Sequence, residues 1–137
     1  VGSEYKTPRT LGVDRLLNAI GGLDYSDTFG VISFGTATVV DAVVDKKFLG
    51  GAIFLGLEKH LKCLNSSAEQ LPLETPTIPS VPLGRSTAEC LNVGSFYSQV
   101  FTVKGLTDIY RQLYGIETFI LTGGAAEYFK DFFGNYL

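Results

Sequence analysis

Three apolar, β-branched runs follow one another between residues 30 and 53, and this patterning constrains the chain more than any other feature. Gly30 to Gly35, Thr38 to Val44 and Phe48 to Ile53 are short, rich in Val, Ile and Phe, and separated only by glycine-marked or polar breaks. They predict three strands in meander order, with Asp45-Lys46-Lys47 as the second turn. The first break lies inside Val31 to Asp41, V-I-S-F-G-T-A-T-V-V-D, and admits two readings. It is an ordinary hairpin turn, since Gly and Thr are common there. Alternatively, bare N–H groups at Gly35 and hydroxyls at Thr36 and Thr38 face one point, as phosphate recognition requires. Gly50-Gly51 would weaken the third strand unless another backbone or a ligand approaches closely.

Helices flank this block. Pro8 biases Thr7 toward extended backbone, Thr10 can cap, and Leu11, Leu16, Leu17 and Ile20 form a helical stripe that Gly21 and Gly22 can stop. Asp14 and Arg15 fall in the first turn. There a carboxylate is favoured by the helix dipole, or the pair projects into a cleft as base and anion clamp. Leu57, Leu61 and Leu64 predict a second helix with Glu58, Lys59 and Lys62 outside. Residues 65 to 85 hold Pro72, Pro76, Pro79 and Pro82 and must cross over as a loop, with Pro72 too close for Ser66 to open a long helix. Ser86-Thr87-Ala88-Glu89 is a capping box, and the proline-free stretch after it predicts a long helix.

That helix carries Val93, Phe96, Tyr97, Val100 and Val103 on one face. Leu91, Gly94, Ser98, Phe101, Gly105 and Ile109 lie on another, where small residues permit close approach. A helix apolar on nearly all sides is central to a core or shared with a second subunit; the expectation is a homodimer seam along 87–113. Glu117 to Leu121 predicts a strand, Thr122-Gly123-Gly124 a turn where backbone can approach a nucleotide, and Ala126 to Phe133 a helix.

Composition excludes several classes. A chain of 137 residues with 45% hydrophobic and 18% charged residues is a single globular domain. Net charge is −3 with Lys and Arg scattered, so no basic footprint supports direct nucleic-acid contact. Cys63 and Cys90 stand far apart without a CxxC, and His60 is the single histidine, which argues against a zinc site or a histidine-based triad. No apolar run is long enough to span a membrane and no signal peptide opens the chain, so a cytoplasmic location is expected. The chain has no methionine, so Val1 is not a translation start and a fragment of something larger is expected.

Specific motifs carry a resemblance. Tyr5-Lys6-Thr7-Pro8-Arg9-Thr10-Leu11-Gly12-Val13-Asp14-Arg15 resembles the Y-x-x-P-x-x-L/V-G-x-D-R segment of type III pantothenate kinases. Phe34-Gly35-Thr36-Ala37-Thr38 with Asp41 resembles their second phosphate motif, and Leu49-Gly50-Gly51-Ala52-Ile53 with Gly56-Leu57 their G-G-x-I-x-P-G-L stretch. Ala68 to Pro72, Gly84-Arg85-Ser86-Thr87 and Thr122-Gly123-Gly124 resemble the A-x-x-L-P, G-K-x-T and adenosine motifs, in the same order. The resemblance implies an α/β, ribonuclease H-like domain of the actin and hexokinase type: a three-stranded antiparallel meander plus parallel strands, packed by helices.

It also implies ATP-dependent phosphorylation of pantothenate, the first step of coenzyme A synthesis. Asp14 matches the family's general base, and Arg15, Tyr5 and Gly12 its pantothenate pocket, with Thr87 donating across a subunit boundary. Gly35, Thr36, Ala37 and Thr38 would face the phosphates, and Gly123 and Gly124 the adenosine. Mg2+ would bridge the phosphates, and a monovalent cation, K+ or NH4+, belongs to the family's site at the position of Ser33. Ser33 stands where the family has an acid, and Leu55 where it has a proline. The family's N-terminal domain with D-x-G-N-T/S and its last strand and helix have no counterpart in residues 1–137, which would correspond to the C-terminal domain. The alternative is a non-catalytic relative that binds ligand or acts as a transcriptional accessory protein.

Overall fold

In the computed structural model, which describes residues 2–68 and 70–133, a five-stranded mixed sheet is sandwiched between helices. Its strands are β1 (Gly2–Ser3), β2 (Phe29–Phe34), β3 (Ala37–Val44), β4 (Lys47–Leu55) and β5 (Phe119–Thr122), in the order β1-β4-β3-β2-β5. The meander forms as expected, with β3 antiparallel to both β2 and β4. The β3–β4 turn uses Asp45 and Lys46 at φ 50° and 65°, the left-handed pair that suits a tight hairpin. Backbone N–H groups of both are tied down, Asp45 to Thr28 Oγ1 at 3.0 Å and Lys46 to the Asp27 carbonyl at 2.8 Å. β5 adds parallel to β2, Gly30 opposite Phe119 and Ser33 opposite Thr122.

Helix α3 (Thr87–Tyr114) opens at the expected capping box: Ser86 Oγ accepts from the Glu89 N–H at 3.1 Å, and Gly115 closes it at φ 67°. The Glu89 carboxylate accepts from the Arg85 N–H rather than from that of Ser86. Phe96, Val100 and Val103 lie on one sheet face with Ile32, Phe34, Val40 and Ala42. Helix α2 (Leu57–Ser67) inserts Leu57 into the same core, and Ser66 closes its last turn by donating to the Lys62 carbonyl. From Ala68 to α3 the described residues form no helix or strand.

Two expectations change. Residues after β5 form two 3-10 turns, Ala126–Tyr128 and Lys130–Phe132, instead of an α-helix. The tighter turns bring Phe129 to 4.4 Å from Phe34 and 4.9 Å from Phe96, ring centre to ring centre, which completes the core. Helix α1 (Val13–Gly22) starts two residues later than expected, after a 3-10 turn at Pro8–Thr10, and ends without a left-handed residue. Gly22 is needed for another reason: a Cβ there would fall on the Phe29 ring. Moreover, its apolar stripe points outward. Ala19 and Gly22 seat the helix against the second sheet face, while Val13, Leu16, Leu17 and Ile20 are exposed.

Candidate functional site

Arg15 and Asp41 build the α1 side of the site. Asp41 sits mid-strand in β3 between Val31 and Gly51 and is 4% exposed. Arg15 donates to it twice, Nε to Oδ2 at 3.0 Å and Nη2 to Oδ1 at 2.7 Å, and Nη1 donates to the Tyr5 hydroxyl at 3.3 Å. The guanidinium lies 5.3 Å from the Tyr5 ring centre and 5.5 Å from that of Phe48, so cation–π contact adds to the fork. Burial pushes the Asp41 carboxyl up, with Arg15 partly offsetting it, while the Asp41 carboxylate raises Arg15 further and keeps it charged. A Cβ on Gly51 would fall on Asp41 Oδ1 and the Val40 carbonyl, and Gly50, at φ 126°, lies against the Tyr5 ring. These are the close approaches that the glycine pair in β4 requires.

Asp14, one position earlier, is exposed and makes no hydrogen bond or ion pair among the described residues. Gly22 sits on Phe29 and Arg15 reaches Asp41, the register partner of Val31, so α1 runs back along β2 with its first turn toward the β2–β3 turn. Gly12 caps this helix and is exposed. Tyr5, Gly12, Asp14 and Arg15 are therefore one neighbourhood. Asp41 stood in the second phosphate motif of the resemblance but was given no role in the site. A charged residue inside V-V-D-A-V-V, on a strand buried on both faces, must have a partner, and that signal could have found it.

The two glycine-marked turns come together at the end of the sheet. Because β5 is parallel to β2 and in register through Ser33 and Thr122, both chains leave the sheet side by side. The Ala125 N–H donates to the Phe34 carbonyl at 3.0 Å, and Gly123, at φ 99°, packs against Phe34 backbone. Between the turns lies a cleft of about 520 Å³, lined by Gly35, Thr36, Glu58, Lys59, Lys62, Gly124, Ala125 and Tyr128. Added Cβ atoms at Gly35 and Gly124 would meet no crowding, so neither glycine is demanded by its own neighbours. Helix α2 starts at this cleft with no side chain capping its first turn. Lys59 and Lys62, expected only to face solvent, line its wall.

Thr38 and Ala37 lie differently from Gly35 and Thr36. Thr38 is fully buried and its hydroxyl donates to Gln99 Oε1 of α3; Ala37 is half-buried at the start of β3. Ser33 shares its row of the sheet with Val39, Ile53 and Thr122, none of them acidic. No group of three or more His, Cys, Asp or Glu side chains placed to hold a metal ion occurs among the described residues, and this row offers the neutral hydroxyl oxygens of Ser33 and Thr122. Thr87 opens α3, exposed, in a groove of about 250 Å³ with His60, Cys90, Gly94 and Ser98. This groove lies on the layer across the sheet from α1, so one chain does not bring Thr87 to Arg15. Cys63 and Cys90 are both free thiols, and no helix of the described residues is long and apolar enough to cross a membrane.

The family model for type III pantothenate kinase matches residues 1–109. The type III pantothenate kinase of Aquifex aeolicus is 40% identical over 131 residues, covering 94% of this chain and 57% of that protein. That of Thermus thermophilus is 36% identical over 124 residues, covering 88% and 49%. The chain thus spans about half the length of these curated relatives. A conserved Baf family protein from Campylobacter jejuni superposes with a TM-score of 0.70 at 19% identity, over 98% of this chain and 59% of that one, a likeness of fold alone. Sequence motifs, sheet order and family match agree, and the chain, mixed α/β and ribonuclease H-like in architecture, belongs to the type III pantothenate kinase family.

Proposed function

We propose that this chain supplies the pantothenate pocket and half of the nucleotide site of an enzyme that phosphorylates pantothenate with ATP, the entry step of coenzyme A synthesis. The observation that carries this reading is the cleft formed where the Gly35–Thr36 turn and Gly124 lie side by side, with Lys59 and Lys62 on its wall. Backbone N–H groups of Gly35 and Thr36 would bind the phosphates, helped by the start of α2. Gly123 and Gly124 would let the adenosine lie close to the backbone.

In the transfer step the primary hydroxyl oxygen of pantothenate bonds to the γ-phosphorus, the bond from that phosphorus to the bridging oxygen breaks, and ADP leaves. Asp14 would take the hydroxyl proton; its exposure and lack of a partner leave the carboxylate available. Positioning and charge neutralisation contribute most of the acceleration in such a loose transition state. Arg15 would hold the pantothenate carboxylate with N–H groups that Asp41 and Tyr5 leave unused. Since Asp41 already neutralises it, Arg15 supplies directed hydrogen bonds more than net charge. Mg2+ would enter with ATP and supply charge neutralisation at the phosphates. The family's K+ or NH4+ has no acid at Ser33 to hold it, and no step is assigned to it.

Two partners complete the reading. A second copy would dock along the outer face of α3, where Gly94, Ser98, Phe101, Gly105 and Ile109 are exposed, forming a homodimer in which Thr87 of one copy serves the pocket of the other. The remaining half of the family's length would cover the outward stripe of α1 and bring the first phosphate motif to the cleft. A cytoplasmic location goes with this reading.

The test is pantothenate-dependent ADP release by the full-length protein: no release, or release that Asp14→Asn leaves unchanged, would sink it. Ser33 favours a second reading, a non-catalytic relative acting through ligand binding. Net charge of −3 argues against direct DNA contact by such a protein. Saturable binding of pantothenate or ATP without turnover would select it.

A further inference from the structure

Gln99 is a polar side chain that joins α3 to the start of β3 and the end of β4. It is 1% exposed, beside Phe96, Val100 and Val103 of the core and one turn after the buried Ser95, whose hydroxyl donates to the Leu91 carbonyl. Its Oε1 accepts the Thr38 hydroxyl at the start of β3, and its Nε2 donates to the Leu55 carbonyl at the end of β4 at 2.7 Å. Gly56, the next residue, donates its N–H to the Thr36 carbonyl at 3.0 Å, and a Cβ at Gly56 would fall on the Gly35 carbonyl. One amide therefore ties the start of β3, which follows the Gly35–Thr36 turn, to the end of β4, whose next residue bonds that turn.

We propose that Gln99 is a positioning residue for nucleotide binding: by holding Thr38 and Leu55 it sets the orientation of the Gly35–Thr36 backbone N–H groups toward the cleft. This inference rests on the kinase reading above. Burying an amide among aromatic and β-branched side chains is costly unless both its ends are satisfied, and here both are, by groups adjoining the turn. The turn's own restraints are few. The Gly35 N–H donates to the Ala37 carbonyl at 3.1 Å, and the Gly56 bond joins the turn to the N-cap of α2. Gln99 adds the tie to α3, so the geometry offered to phosphate depends also on how α3 seats on the sheet.

The experiment is steady-state kinetics and thermal melting of the full-length protein carrying Gln99→Leu, Thr38→Val, both together, or Val100→Ala. Each of the first two should raise KM for ATP by about ten-fold and leave KM for pantothenate within about two-fold, because only the phosphate turn is displaced. Together they should raise it little beyond Gln99→Leu alone, since that change already removes the bond that Thr38→Val cuts. Val100→Ala removes buried volume from the same helix turn and should lower the melting temperature with both KM values unmoved. The inference is overturned if Val100→Ala shifts KM for ATP equally, if the two single effects multiply, or if both KM values rise together. Should Gln99→Leu not fold, Gln99→Met carries the same comparison, keeping the length of the side chain while losing both the acceptor for Thr38 and the donor to Leu55. If the wild type turns over no pantothenate, the same ratios are read as affinities for ATP. ATP binding without turnover then counts against the kinase reading alone, and no ATP binding overturns both.

Discussion

On the α3 face of the sheet, Phe34, Phe129 and Phe96 stack into one aromatic core closed by the C-terminal 3-10 turns, whereas the α1 face buries a smaller patch around Phe29, Val31 and Phe48. The first face is finished by the chain's own residues. The second places a charge pair, Arg15 and Asp41, beside exposed Val13, Leu17 and Ile20. Apolar burial is worth about 25 cal/mol per Å², so leaving a helical stripe open sacrifices stability unless something else covers it. The contrast separates a face closed by the chain's own aromatic residues from a face that leaves an apolar stripe open beside a buried charge pair.

Truncating the stacked face should have the largest effect. Phe96→Ala opens a void between Phe129 and Tyr97 and should cost about 4 kcal/mol in urea unfolding. Next comes Asp41→Asn, which leaves a buried guanidinium without its counter-charge and should cost about 3 kcal/mol. It should also weaken pantothenate binding by misplacing Arg15, which calorimetry on the full-length protein measures. Comparable losses from both variants, with ligand binding intact in Asp41→Asn, would erase the distinction between the faces.

Smaller effects sharpen it. Leu17→Gln on the outward stripe should change the stability of residues 1–137 by no more than about 0.5 kcal/mol. In the full-length protein the same change should cost more, if the remaining half covers α1. The smallest effect concerns pH. Tyr110, whose hydroxyl donates to the Val40 carbonyl at 3.5 Å, is pushed above its ordinary 10.0 mainly by burial. Unfolding lets it ionise first, so stability should fall as pH rises past 10.0, and Tyr110→Phe should flatten that limb in unfolding experiments.

The meander and α3 were legible because β-branched runs, a polar turn and a capping box each fix local structure without help from afar. Other features were not. The Phe129, Phe132 and Phe133 spacing suits an α-helix, but tighter turns are what bring those rings onto Phe34 and Phe96. Helical periodicity located the α1 stripe and could not tell which way it faces, since Ala19 and Gly22 alone satisfy the sheet. Gln99 and Asp41 were each a polar residue inside an apolar run, a pattern that marks a required partner without naming it. The β1 pairing of Gly2 and Ser3 with Lys47 and Phe48 leaves no pattern to read in two residues. Among the motif residues, Gly35, Thr36 and Gly124 meet at one cleft, and Tyr5, Gly12, Asp14 and Arg15 meet at α1. Thr87 belongs to another layer, which no reading of linear spacing could reveal.

The most direct measurement follows the product. Full-length protein incubated with ATP and pantothenate should yield 4′-phosphopantothenate by mass spectrometry, with Arg15→Ala raising KM for pantothenate by about ten-fold or more and leaving KM for ATP unmoved. No phosphorylated product, or an Arg15→Ala variant whose KM for ATP rises instead, would contradict the assignment of the α1 face to pantothenate and the glycine cleft to ATP.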